Sequence, residues 1–151
     1  MMNSQRIVVD NNVLISRLLI PASVPGQAVC TAVDTAQLLI SDATLAELVA
    51  VLARPKFDPS ITIRDRQKFV LLLGRVAERM VIPQTARACR DPKDNMLLEL
   101  AINGRTDWVV TGDRDLLALG IFQGILIPTP ARYVASRVRN IPCLCRPYVA
   151  L

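Results

Sequence analysis

The sequence predicts an α/β domain built on a parallel sheet, and three observations carry that prediction. Ile7-Val8-Val9 is apolar at consecutive positions and stops at Asp10. Continuous rather than alternating apolarity marks a strand covered on both faces, as in a parallel sheet between helices. Short β-branched runs alternate with helix-like segments along the chain, the succession that builds such sheets. Prolines and glycines such as Pro21, Pro25, Pro55, Gly104 and Gly112 punctuate the segments.

The elements follow in order. After the strand ending at Asp10, Val13 to Ile20 reads as a helix, and Pro21 to Pro25 breaks it. Gln27 to Thr35 is a second helix, and Gln37 to Ile40 a second strand. Ser41 or Asp42 caps a helix running through Ala53, which Pro55 stops. Lys56 to Thr62 is a loop. Ile63 to Arg79 is an amphipathic helix with Phe69, Leu72, Leu73 and Val76 inward and Arg64, Arg66, Lys68, Arg75 and Arg79 outward. Met80 to Ile82 is a short strand or extended link. Asp91 caps a helix with Pro92 at its first position, running from Lys93 to Asn103 and ending at Gly104. Trp108 to Thr111 is a strand, Leu116 to Leu119 a short helix, Ile125 to Ile127 a last strand and Pro128 to Arg137 a terminal helix. Residues 140–151 carry two prolines and no periodicity.

Bulk properties bound the chemistry. A chain of 151 residues is one domain's worth, and with 52% hydrophobic but only 4% aromatic residues its core is aliphatic. No apolar run approaches the roughly 18 residues of a membrane span, and the start lacks a signal-peptide pattern. A cytoplasmic protein is expected. Cys30, Cys89, Cys143 and Cys145 form no Cys-x-x-Cys pair, so reduced thiols are expected rather than a zinc site. Histidine is absent. That excludes Ser–His nucleophilic chemistry and imidazole metal ligation, and leaves carboxylates, lysine or an oxygen-held metal. Fifteen of the 18 basic residues are arginine, against 13 acids, and arginine suits bidentate phosphate contacts.

The acids stand where strands give way to helices. Asp10, Asp113 and Asp115 follow strands; Glu47 and Asp94 are assigned to the first turns of helices. Asp10 is either a helix cap or a ligand at the carboxyl end of its strand, where open α/β sheets bind ligands. Glu47 is the only charge in Ala43–Ala53, and faces either water or a cation. Asp94 shares a face with Leu97, Leu98 and Ala101, and either complements the helix dipole or belongs to a site. If the strands are parallel and adjacent, all five converge. Two carboxylates at about 4 Å repel by roughly 4 kcal/mol at an effective dielectric of 20, so such a group needs protons or a cation. Oxygen ligands in this number suit Mg²⁺ or Mn²⁺. Setting the five acids aside leaves 18 cationic side chains against 8 anionic ones, a basic surround suited to an anionic polymer.

The segments Val8-Val9-Asp10-Asn11-Asn12-Val13-Leu14-Ile15-Ser16, Glu47, Asp91-Pro92-Lys93-Asp94-Asn95 with Leu98-Glu99-Leu100-Ala101, and Thr111-Gly112-Asp113-Arg114-Asp115-Leu116-Leu117 resemble the motifs of PIN-domain proteins. The likeness is nearest to the toxin components of prokaryotic toxin–antitoxin systems, the VapC-type toxins, and covers about Arg6 to Ser136. The resemblance implies a PIN-like (Rossmann-like) three-layer α/β/α fold with a central parallel sheet over residues 1–137; the basic C-terminal tail, 138–151, has no counterpart in it. It implies a Mg²⁺- or Mn²⁺-dependent endoribonuclease, an antitoxin partner and a homodimer. Asp10, Glu47, Asp94 and Asp113 match the acidic quartet, with Asp115 a frequent fifth. Asn12 matches the polar residue that steadies the first aspartate, and Thr111 a small hydroxyl residue bordering the site. Asn11 departs from the more common threonine, but its amide still hydrogen-bonds.

On this likeness Asp10, Asp94 and Asp113 hold one or two metals, and Glu47 binds metal or orients the attacking water. Arg114 and Lys93 either contact the phosphodiester or are plain surface charge. The alternative is a PIN-fold module without catalysis that binds RNA or protein. A dehalogenase-type phosphatase needs a second aspartate two residues after the first, where this chain has Asn12.

Overall fold

The computed structural model describes residues 5–82 and 92–137. Strand β1 (Gln5–Val9) lies at its centre, and alternate side chains serve two cores. Ile7 and Val9 point into one and Val8 into the other, so the strand has no solvent face. From β1 the chain passes through α1 (Asn11–Leu19) and α2 (Val24–Thr35) to β2 (Ala36–Ser41). It continues through α3 (Asp42–Leu52), a 3₁₀ turn at Pro55–Phe57 and α4 (Ile63–Val76) to β3 (Glu78–Met80). Then α5 (Pro92–Asn103) leads to β4 (Trp108–Val110), α6 (Arg114–Leu119), the hairpin β5 (Ile121–Phe122) and β6 (Ile125–Leu126), and α7 (Pro130–Arg137).

The sheet order is β3-β2-β1-β4-β6-β5, and only β5 runs antiparallel to its neighbour. Successive crossovers move outward from β1 to β3, and the chain then returns to the other side of β1 as β4. The gap between the carboxyl ends of β1 and β4 is therefore the switch point of the sheet, the ligand-binding crevice of such folds. Side chains of α1, α2, α3, α4 and α7 fill one core with Ile7 and Val9. Those of α5 and α6 fill the other with Val8 and Leu39. Three layers result, as the resemblance implies. Among the described residues no single helix is long and apolar enough to cross a membrane.

Several boundaries differ from expectation for local reasons. Helix α2 begins three residues early because Ser23 caps it, its Oγ accepting from the Gly26 N–H at 3.1 Å. Pro25 then sits in the first turn, where its missing N–H costs nothing. Helix α4 stops at Val76, not Arg79: Ala77 turns extended (φ −94°, ψ 146°), and Glu78 to Met80 pair with Leu39 to Ser41. The strand expected at Met80–Ile82 is thus Glu78–Met80. On α4 two side chains are reversed. Val76 is exposed, and Arg66 is buried, donating to Asp58 Oδ1 at 2.9 Å and to Ile61 O at 2.8 Å. That arginine pins the expected loop, which contains the 3₁₀ turn. Strand β5 was not foreseen. Gln123 (φ 50°) and Gly124 (φ 83°) both take positive φ, the two-residue turn that closes its hairpin. Helix α7 starts at Pro130 rather than Pro128; Tyr133, fully buried, meets Trp108 edge-on at 5.6 Å. The Asp91 cap and the 138–151 tail lie outside the described residues.

Candidate metal centre at the sheet switch point

The Asp10 N–H donates to Val110 O at 2.9 Å, extending the β1–β4 ladder by one residue and setting Asp10 beside Thr111. Asp10 then leaves the strand as the N-cap of α1, with Oδ1 accepting from the Asn12 N–H at 3.2 Å. Asp10 thus caps with one oxygen and still offers the other to the site. Its Oδ2 accepts from Thr111 Oγ1 at 2.7 Å. Asn12 steadies Asp10 through its backbone, and its side chain is exposed on the same cleft. Asn11 Nδ2 donates to Thr44 O at 3.0 Å and ties α1 to α3.

Thr111 is fully buried and links two acids. While donating to Asp10 it accepts from the Asp113 N–H at 3.0 Å. Asp113 caps α6, its Oδ1 accepting from the N–H groups of Asp115 at 2.8 Å and Leu116 at 3.3 Å. Asp94, in the first turn of α5, is buried and lines the cleft with Leu97. Glu47 is half-buried on α3. It lies in the second turn, not the first as expected, because α3 already begins at Asp42 behind a Ser41–Thr44 capping box.

Asp10, Glu47, Asp94 and Asp113 line one cleft of about 130 Å³, with Asn11, Asn12, Thr44 and Arg54 among its other walls. Carboxylate oxygens of Asp94, Asp113 and Asp115 lie within 4.8 Å of one another. Asp115 joins that group from the exposed side and is not part of the cleft wall. Burial pushes the Asp10 carboxyl above its usual range and the Asp113 charge pushes the same way, while hydrogen bonds from Thr111, Asn12 and Asn11 pull it down. Hard oxygen donors crowded together, one of them buried as a reluctant anion, fit a divalent cation. Arg114 is exposed and does not line the cleft, and the Lys93 side chain lies outside the described residues. The cation that does line it, Arg54, was not singled out from the sequence. Its signal was the spacing Thr44, Glu47, Val51, Arg54.

A three-layer sandwich that delivers acids from β1, α3, α5 and β4 to its switch point defines a class of proteins with an acidic, cation-ready cleft. The chain belongs to the PIN-domain family, whose model matches residues 6–115. It is 25% identical over 139 residues to the uncharacterised protein MJ1680 of Methanocaldococcus jannaschii, covering 85% of this chain and 89% of that one. Its fold is similar to a chain of the crystal structure of VapBC2 from Rickettsia felis bound to a DNA fragment from their promoter. The TM-score is 0.58 at 10% identity, over 83% of this chain and 98% of the other.

Proposed function

We propose that the protein is a Mg²⁺- or Mn²⁺-dependent endoribonuclease acting as the toxin of a toxin–antitoxin pair. The observation that carries this reading is the convergence of Asp10, Glu47, Asp94 and Asp113 on one cleft, with Asp115 beside it. Asp94, Asp113 and Asp115 would hold the cation through carboxylate oxygens, and Asp10 faces it from the strand end. A bound divalent ion supplies a water of lowered pKa and neutralises charge building on a phosphate. Thr111 fixes the Asp10 carboxylate and the Asp113 backbone together, so the acids keep their spacing. Glu47, half-buried on the cleft, would orient the attacking water or take up metal. The chain has no histidine to act as a base, which suits direct hydrolysis without a covalent intermediate.

RNA cleavage tests the reading. A single-stranded RNA should be cut in Mg²⁺ or Mn²⁺, and the cutting should stop with EDTA and in Asp10→Asn. Calorimetric uptake of Mn²⁺ should weaken in the same variant. Cleavage at the parent rate by Asp10→Asn would overturn the assignment, and acid-dependent Mn²⁺ uptake without cleavage would favour a binding module.

The fold likeness to a chain of VapBC2 supports an antitoxin partner, and the PIN-toxin resemblance leads us to expect a homodimer. Expression alone should arrest growth, with relief on co-expressing a cognate antitoxin. Light scattering should give twice the mass of one 16.6 kDa chain. A monomer mass at every concentration would count against the dimer.

A further inference from the structure

Arg54 is the one cation among the described residues that line the acidic cleft. Helix α3 presents Thr44, Glu47, Val51 and Arg54 to that cleft at steps of three, four and three residues, which keeps them on one face. Ala53 retains helical torsions (φ −77°, ψ −7°), and the Arg54 N–H donates to Val51 O at 3.1 Å, so the stripe continues past the last helical residue. Arg54 then turns extended (φ −64°, ψ 137°), the conformation that Pro55 enforces on the residue before it. Its side chain is exposed and forms no hydrogen bond or ion pair with another described residue. The guanidinium groups of Arg6, Arg66 and Arg79, by contrast, each pair with a carboxylate.

A cation beyond a helix C-terminus complements the helix dipole, but that role does not require the side chain to line the cleft. The placement along the helix is more informative. Seven residues at 1.5 Å each put Arg54 about 10 Å along α3 from Glu47. A backbone offset of that size suits a guanidinium at one end of the cleft that meets a neighbouring group on an extended polyanion. We propose that Arg54 is a phosphate-positioning residue: its guanidinium fork grips the phosphate of a nucleotide next to the scissile bond, so that the strand lies along α3 from Arg54 toward Glu47. The assignment rests on the nuclease reading above and adds the direction of the substrate path to it.

The test is steady-state cleavage of a short single-stranded RNA by the parent, Arg54→Gln and Arg54→Lys, at several salt concentrations. Because the contact is made equally in ground and transition states, Arg54→Gln should raise KM about tenfold and leave kcat within about twofold. The slope of log kcat/KM against log salt should become shallower by about 0.7, the signature of one lost phosphate contact on a single strand. Arg54→Lys should recover part of the KM, since it keeps the charge but not the fork. Mn²⁺ affinity and melting temperature should stay at the parent values, as a purely structural arginine would not arrange. Unchanged KM and salt slope in a parent that cleaves, or a loss confined to kcat, would overturn the role of Arg54. No cleavage by the parent, or undiminished cleavage by Asp10→Asn, would overturn the nuclease reading and with it this assignment.

Discussion

Asp10→Asn is expected to melt higher than the parent protein in EDTA at pH 7 while losing at least about a hundredfold in RNA cleavage with Mg²⁺ or Mn²⁺. Asp10 is 8% exposed, and burial first, then the Asp113 charge, raise its carboxyl above the ordinary value. A carboxyl raised on folding costs stability as an anion. Below about pH 3.8 it is protonated in both states and there is no cost. The cost builds as the pH climbs above about 3.8 and is complete once the pH exceeds the raised folded value. The asparagine should therefore gain about 1 kcal/mol at pH 7, or about 2–4 °C for a chain of this size. The gap should close as the pH is brought below about 3.8. Asparagine caps a helix as well as aspartate does, so α1 keeps its start. Adding Mn²⁺ should narrow or reverse the gap, because ligand binding stabilises only the form that binds. Thr111→Val should move oppositely. It leaves Asp10 Oδ2 without its donor and the Asp113 N–H without its acceptor, costing about 1–3 kcal/mol. It should also weaken Mn²⁺ binding about 10–100-fold, as lost support for a ligand does. Thermal melts of the three proteins with EDTA and with Mn²⁺ decide the matter. An Asp10→Asn protein less stable than the parent in EDTA would mean that the hydrogen bonds outweigh burial.

The same residue shows why the site was largely legible in the sequence. A strand apolar at every position, followed by an acid, states both a buried parallel strand and what stands at its end. Adjacency of β1 and β4, on which convergence depended, follows from the switch in crossover direction, not from any residue in either strand. Capping at Asp10 does not exclude a ligand role, because a carboxylate has two oxygens: Oδ1 caps α1 while Oδ2 accepts from Thr111 at the cleft. Arg54 was less visible, since it lies between the expected helix end at Ala53 and the breaker Pro55. Only the cleft shows that the helical spacing continues to Arg54. Arg66 was misread for the opposite reason: its place on α4 is fixed by Asp58 and Ile61, which no periodicity within the helix reports. Strand β5 is two residues long, below the length at which alternation can be read, and its Gln-Gly turn lacks the usual Asn-Gly signal.

Gly26→Ala is expected to cost about 3 kcal/mol, a drop of about 6–12 °C in melting temperature, although alanine is the better helix former. A Cβ at Gly26 would lie 2.5 Å from Pro21 O, 2.9 Å from Ile20 O and 3.0 Å from Pro21 C, all backbone atoms. Neither side has freedom to retreat. Arg17, itself buried, donates through Nη1 to Pro21 O at 2.8 Å and holds the turn. Ser23 Oγ holds the Gly26 N–H and fixes the first turn of α2. Relief requires α2 to move off α1, and α2 carries Ala28, Val29 and Ala32 into the core that also holds Ile7 and Val9. Gly74→Ala supplies the contrast. Gly74 is exposed on α4 with nothing within 4 Å of the added carbon, so alanine should stabilise there by about 0.5–1 kcal/mol. Denaturant melts of both variants separate close backbone approach from helix propensity. Equal and small gains from the two substitutions would show that the α1–α2 corner yields, and that its glycine is not needed for the packing that carries α1, and Asp10 at its start, into place.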